Sequence, residues 1–498
     1  MSAAAAEGRA WDGAFALLVG AVALATYVVT LPPSYGDWDV AELQIVASIF
    51  GIAHPPGCPA FTLLGYLFVH AFPFGEPARR LNLMCSIAIA ASTSLLYLVA
   101  RRFDLRPATS VLCALGFAAT VVTWQVATRA EVQDVALLFR GLALWFALRW
   151  YDRGRLRDLF AAALATGLAG ATHGIALLLL PSLALLVIAR PGWNRPQALG
   201  LVVLGLALGL VPFAYVPLRS AWVDAHGLDP AVALGFPRGM PFWNYDDPST
   251  WPAFWHFVTG ADFHVGGGFA GFLDLSRYPS FAQQLSDRIA HAYGYAAVLL
   301  ALGGAAFLVV TRRLDGIALV LAALLPVPYT ESYPDLQQPE RYYLFAFWCA
   351  AILIGIAFER LAALLELRPQ TVGWYALALC LAASFATCAP ERAQLFDQPH
   401  DFFGPDFVAE VRSFTPDNAI IVSAWGYATS LAYASYVAGT FGHRAVIVGG
   451  PDQYLPQLAP WLGRRPLYLI SFASDVTIPG WKVRSVKAST YYAYRLTK

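Results

Sequence analysis

Three carboxylates fall close together in Gly36-Asp37-Trp38-Asp39-Val40-Ala41-Glu42-Leu43. Asp39 and Glu42 are three apart, so a helix places both on one face. One such carboxylate is enough to deprotonate a hydroxyl and hold it in line for attack on a sugar C1. The other could orient the first or hold a divalent cation such as Mg2+ or Mn2+. The ordinary alternative is a pair of acids at a helix start, since Asp37 and Asp39 stand where an N-cap would. Further on, His54-Pro55-Pro56-Gly57 forces a stiff turn, because each proline fixes φ and Gly57 frees the next step. His54 either donates to a phosphate or ties that turn.

Other polar residues lie beside apolar runs, where an ionisable group is costly. Arg79 and Arg80 precede one run. They read as ligands of a lipid phosphate or as snorkelling helix-end arginines. Arg219 and Arg341 flank two more runs, and a guanidinium fork matches phosphate oxygens bidentately. For Arg341 the alternative is a local charge pair with Glu340. Glu131 is a second acid candidate or an ordinary helix-start glutamate. His173 contacts substrate or closes a helix. Arg140 falls mid-run and must face the interior. Met240–Phe263 is dense in aromatics. There Trp243, Asn244, Asp246 and Asp247 suit either sugar stacking with hydroxyl recognition or an interfacial aromatic belt.

The elements that carry these residues follow from composition. The chain has 498 residues, 58% hydrophobic and 13% charged, with mean hydropathy +0.55. That balance belongs to a polytopic membrane protein. The net charge is +1 and no basic cluster points to nucleic acid. The six cysteines have no CxxC spacing and read as small core residues. Apolar runs over 13–31, 81–100, 107–126, 132–150, 158–171, 173–189, 197–218, 291–311, 314–330, 341–360 and 370–388 give about eleven spans. The first, without a small-residue cleavage site, reads as a retained span. Val40–Phe50 is too short to cross a bilayer and is expected to lie in its interface.

Arginines crowd alternate loops, so the positive-inside rule orients the bundle. Arg101, Arg102, Arg106, Arg149, Arg153, Arg155, Arg157, Arg190, Arg195, Arg312, Arg313, Arg360 and Arg368 fall inside. The loops 32–80 and 219–290 and the tail then face outward, into the periplasm or exterior of a bacterial inner membrane. Residues 1–389 form the membrane domain. Residues 390–498 alternate strand-length and helix-length runs, as in a small, largely parallel α/β domain on the outer face.

Several motifs carry a resemblance in unbroken order over residues 20–365. They are Trp38-Asp39-Val40-Ala41-Glu42-Leu43, His54-Pro55-Pro56-Gly57-Cys58-Pro59, Arg80-Leu81-Asn82-Leu83, Trp124-Gln125 with Ala130-Glu131-Val132, Thr172-His173-Gly174, Val216-Pro217-Leu218-Arg219-Ser220, Trp243-Asn244-Tyr245-Asp246-Asp247-Pro248 and Glu340-Arg341-Tyr342-Tyr343. Together they resemble a family of polytopic membrane proteins that includes an animal transmembrane protein O-mannosyltransferase, and through it the GT-C glycosyltransferases. The resemblance implies transfer of a sugar, mannose in the animal relative, from a polyprenyl-phosphate-linked donor. The acceptor would be a hydroxyl of an exported protein or a glycolipid, met at the outer membrane face, with inversion. It places the family acid on Asp39 and its companion on Glu42. The chain departs from the family at Val40-Ala41, where Ser-Gly is common, at Gln133, where Tyr is common, and near Ser423–Gly426, which lacks an acid.

A transporter or flippase is the competing class. It would favour paired repeats and charges near the bilayer midplane. Here the notable acids cluster on one face and no internal repeat stands out, which favours surface chemistry.

Overall fold

Among the described residues, helices occupy the expected spans. The computed structural model describes residues 11–261, 272–332, 339–366, 375, 378–379, 382–383 and 389–498, save 451 and 489. Most of the expected span 370–388 lies outside the described residues, as does Phe263. By length and apolarity alone, five described helices can cross a membrane: Asp12–Val29, Pro77–Arg102, Pro196–Ala233, Leu314–Glu331 and Pro339–Leu364. The count rises to seven if each bent pair is one span. The run 107–126 is such a pair, bent by 65° between Pro107–Ala118 and Val121–Ala127. The cause is local: Thr120 leaves helical geometry and its hydroxyl accepts from the Thr123 N–H at 3.2 Å, capping a new helix. Val132–Arg153, Leu156–Thr172 and Gly174–Ile188 are helical too, but more polar or shorter.

Pro77–Arg102 sets the long axis. Its 26 residues extend about 39 Å at 1.5 Å per residue. At its far end, Arg101 pairs with Asp12 at 2.7 Å, and Arg102 with Asp152 at 2.6 Å and Asp315 at 2.8 Å. Arg149 pairs with Asp158 at 3.2 Å. The arginine-rich loops are thus tied to acids on neighbouring helices, at the opposite end from Asn82 and the acids near Asp39.

Trp38–Ile49 is a helix, as its periodicity predicts, but it does not lie open at a surface. Ala41 through Ala47 are all buried. The residues Ala41, Leu43, Ile45, Val46 and Ala47 leave no polar face, and a helix apolar all round goes inside. Its two interior polar groups have protein partners. Gln44 donates to Asn82 at 3.0 Å and accepts from the Gly36 N–H at 3.1 Å, and Glu42 meets His54. The helix is enclosed between the membrane bundle and the C-terminal domain.

That domain holds a five-stranded sheet in the order β2-β1-β3-β5-β4. β1 (Ile420–Ser423) runs parallel to β2 (Ala445–Val448) and β3 (Leu467–Ser471). β5 (Tyr492–Thr497) is antiparallel to both β3 and β4 (Lys482–Ala488). The sheet is therefore mixed rather than largely parallel. The link from β4 to β5 is too short for a crossover, so the last two strands form a hairpin.

The helix Trp425–Tyr436 docks this domain onto Trp38–Ile49. Tyr433 stacks on Tyr35 at 4.3 Å, its hydroxyl accepts from the Ala78 N–H at 3.0 Å, and Ser430 donates to the Gly36 carbonyl at 2.9 Å. Gly426 lies against the Trp38 ring, where a Cβ would come within 2.5 Å. Phe472 stacks on the same ring at 5.6 Å, so the ring has little room to retreat. Gly426→Val is expected to weaken docking by about 1–3 kcal/mol, as overpacking does. Limited proteolysis of the tail would show it; protection equal to wild type would contradict this packing.

Candidate active site

The enclosed helix delivers Asp39 and Glu42 to one place. Both lie on its first turns, and the turn after it brings His54 back to them. Glu42 is buried and accepts the His54 backbone N–H at 2.7 Å through Oε1, while Oε2 meets His54 Nδ1. The sequence leaves His54 open between phosphate ligand and turn anchor. Its Nδ1 is spent on Glu42, which ties the turn to the helix.

Asp39 is held at both oxygens. Oδ2 accepts from Arg341 Nη2 at 3.1 Å, and Oδ1 from the Trp425 indole Nε1 at 3.1 Å. Its side chain keeps 30% exposure, so the carboxylate is open on one side. Arg341 extends its second amino group to Glu131 Oε2 at 2.9 Å. Glu131 is also the N-cap of Val132–Arg153, accepting from the Gln133 N–H at 3.4 Å. It is both a helix-start acid and a member of the cluster. His173 caps the next short helix, accepting from the Ile175 N–H at 3.3 Å, and its ring lies 5.5 Å from that of Tyr342. Arg341 stands over the same Tyr342 ring at 5.2 Å.

These contacts set the charge states. Burial pulls the Asp39 carboxyl up, but His54, Arg341 and the Trp425 N–H together hold it below its ordinary value. Burial dominates at Glu42 and raises it, although His54 opposes the rise. Burial alone would lower His54; Glu42 and Asp39 outweigh it and carry the imidazole from 6.5 to about 9. The site therefore holds an imidazolium beside two acids at neutral pH. A raised value in the folded state stabilises below the unfolded value and is lost as pH climbs through the folded one. Stability from His54 is thus complete below about pH 6.5 and declines towards about pH 9. The wild-type melting temperature should fall across that window, and that of His54→Gln should fall less. Parallel curves would show that His54 does not titrate there.

Asp39, Glu42 and His54 each offer a ligand atom, all within 4.8 Å of one another, the one such metal-sized group found among the described residues. The two carboxylate oxygens suit Mg2+ or Mn2+, and the imidazole nitrogen is a ligand that Zn2+ also takes. Holding an ion requires His54 to be neutral and to release Glu42.

The remaining expected residues lie around this centre rather than in it. Arg219 donates to the Phe50 carbonyl at 2.5 Å and the Ile49 carbonyl at 3.3 Å, closing the end of Trp38–Ile49. Arg80 donates to the carbonyls of Val69 and, at 3.0 Å, Phe72, closing the helix Pro59–Ala71. Asn244 is buried and donates to Asp224 at 3.1 Å and Asp247 at 3.4 Å; Asp247 also accepts from Ser220 at 3.0 Å. Asp246 and Asp247 take left-handed φ of 59° and 47°, and the Asp246 N–H donates to the Gly239 carbonyl at 3.0 Å. Trp243 meets Tyr436 edge-on at 6.0 Å. This loop braces Trp425: Phe242 stacks on its indole at 5.8 Å and Tyr245 meets it edge-on at 6.1 Å. Trp425 itself was not singled out by sequence. It is 386 positions from Asp39, and no local pattern marks it.

A helical membrane bundle with an acid-bearing helix after its first span and a small C-terminal sheet domain has a GT-C-like architecture. Two crystal structures of ArnT from Cupriavidus metallidurans share the fold, one bound to undecaprenyl phosphate and one in the apo state. Each has a TM-score of 0.58 at 13% identity, over 96% of this chain and 97% of that one. The family model for the protein O-mannosyl-transferase TMEM260 N-terminal domain matches residues 39–196, which bears out the resemblance read from the motifs. Protein O-mannosyl-transferase TMEM260 of Mus musculus is 33% identical over 203 residues, 39% of this chain and 29% of that protein. The Dictyostelium discoideum protein of that name is 31% identical over 132 residues, 26% of this chain and 16% of its own. The matches thus span less than a third of either relative.

Proposed function

We propose that this protein is a membrane glycosyltransferase. It moves a sugar, mannose by the TMEM260 likeness, from a polyprenyl-phosphate donor to a hydroxyl acceptor such as Ser or Thr of an exported protein. The observation that carries this reading is Asp39, an ionised, half-open carboxylate fixed by Arg341 and Trp425 at the arginine-poor end of the bundle. The arginine asymmetry supports placing that end on the outer face of the inner membrane. The ArnT complex with undecaprenyl phosphate supports a lipid-phosphate donor.

The chemistry needs few groups. Asp39 accepts the acceptor proton as the hydroxyl oxygen bonds to sugar C1 from the face opposite the phosphate. The C1–O bond to phosphate breaks, and its electron pair leaves with the lipid phosphate. The Arg341 guanidinium and the His54 imidazolium offset charge growing on that group. Inversion at C1 follows.

The test is transfer of radiolabelled mannose in membranes supplied with polyprenyl-phosphate mannose, with the label sorted into protein and lipid. Asp39-dependent label in protein supports the reading. Label in lipid keeps the mechanism and makes the acceptor a glycolipid. A divalent cation is the alternative to the imidazolium at this site: with His54 neutral, Asp39, Glu42 and His54 would hold it, and it would neutralise phosphate charge in the imidazolium's place. Metal analysis of purified protein, with transfer measured after chelation, decides it. Full activity in metal-free protein would exclude the cation.

A further inference from the structure

We infer that the C-terminal domain completes the active site, with the Trp425 indole N–H fixing the plane of the Asp39 carboxylate, so that Trp425 is a positioning residue for the base. This rests on the reading of Asp39 as that base.

The bond joins the two parts of the chain at the reacting group. Trp425 begins the helix Trp425–Tyr436, immediately after β1. β1 lies between its parallel neighbours β2 and β3, so Trp425 emerges at the carboxyl end of a parallel strand. That is where α/β sheets present functional groups. The domain is not a remote appendage: one of its residues donates to Asp39 Oδ1 at 3.1 Å.

The indole is itself held in place. Phe242 stacks on it at 5.8 Å, and Tyr245 and His54 meet it edge-on at 6.1 and 6.4 Å. A carboxylate gripped at one oxygen still turns about its Cβ–Cγ bond. Gripped at Oδ1 by Trp425 and at Oδ2 by Arg341, it cannot, and the remaining lone pairs face one direction. The two donors differ in kind. Arg341 is a cation that also serves Glu131 and is placed to meet phosphate. Trp425 is neutral, so it orients the base without adding charge and keeps hold of it whether or not Arg341 turns towards a donor. A base aimed within a few tenths of an ångström is what in-line transfer requires.

The groups facing Asp39 are Glu42 on its own helix, His54 on the following turn, Arg341 and Tyr342 on the 339–343 turn with Glu131 behind Arg341, Tyr245 on its loop, and Trp425. Removing Trp425 alone leaves all the charges in place and removes one hydrogen bond to the ionised form. The carboxylate keeps its charged neighbours but loses the contact that fixes its plane, so turnover falls while donor binding is kept.

The experiment uses the full-length protein in donor-supplied membranes. Trp425→Phe keeps a stacked ring and loses the N–H; benzothienylalanine at position 425 keeps the bicyclic shape and loses the N–H alone. Trp461→Phe is the control: Trp461 belongs to the same C-terminal domain as Trp425, and its Nε1 donates to the Leu234 carbonyl of the 219–290 loop at 2.9 Å, away from the cluster. Both changes at 425 are expected to lower kcat by about 10- to 100-fold, the worth of a hydrogen bond to a charged group. They should leave donor KM within about twofold, whereas Trp461→Phe should change neither kcat nor donor KM. Wild-type kcat in the benzothienyl protein would overturn the proposal, as would a rise in donor KM that accounts for the loss, or a loss matched by Trp461→Phe. Asp39→Asn is run alongside. Transfer that survives it removes the base and this proposal together. Transfer lost in Asp39→Asn but intact in both 425 variants removes the positioning role only.

Discussion

Asp39→Asn is expected to lower sugar transfer by about 100- to 10,000-fold, the contribution of a positioned general base. The amide is the same size as the carboxylate, and its carbonyl oxygen still accepts from Trp425. It has no lone pair basic enough to take a hydroxyl proton in the transition state. The fold should survive, because Arg341 keeps its bond to Glu131 at 2.9 Å. Glu42→Gln should behave differently. Glu42 has both oxygens on His54, so its loss frees the turn and discharges the imidazole rather than removing the base. A smaller loss of transfer with a lower melting temperature is the expected pattern. Near-normal transfer by Asp39→Asn would mean that another group accepts the proton.

The second large effect is on stability. Arg341→Ala leaves Asp39 and Glu131 without their common partner, and the Glu131 side chain is only 3% exposed. Removing one partner of a buried ion pair costs about 3–5 kcal/mol, because the remaining charge has lost its water and its counter-ion. Arg341→Lys should recover only part of this. One ammonium cannot reproduce the fork that serves two carboxylates with separate N–H groups. The double change Arg341→Ala with Glu131→Gln should regain stability, because the stranded charge is gone, while transfer stays low. Denaturant unfolding in detergent reads the first quantity and mannose transfer the second. An Arg341→Ala protein as stable as wild type would show that the cluster does not depend on this arginine.

Much of the site was legible because its pieces are local. Asp39 and Glu42 share a helix face by spacing alone, and the His54 turn follows within the same stretch. Glu131, His173 and Arg341 stand at helix ends beside apolar runs, where charge is noticed. The roles were harder to read than the positions. Arg219 and Arg80 have the right charge and place for a phosphate, yet their guanidinium groups are turned onto helix-end carbonyls at Phe50 and Phe72. The aromatic loop at Trp243–Asp247 suits sugar recognition or an interfacial belt by composition, and only the structure shows that Tyr245 and the neighbouring Phe242 also brace Trp425. An exposed-looking arginine or tryptophan carries no mark in the sequence of what it will face.

By itself the sequence determined the bundle, because runs of apolar residues must leave water whatever their neighbours do. It also determined the acid-bearing helix, through 3.6-residue periodicity, and the separate tail, through a change of run length. Only the tertiary structure decided that this helix is enclosed, that β4 and β5 turn back as a hairpin, and that Arg341 and Trp425 meet at Asp39. Periodicity and burial are properties of short stretches. A hydrogen bond between residues 386 positions apart depends on how whole elements settle against each other, and no local preference encodes it.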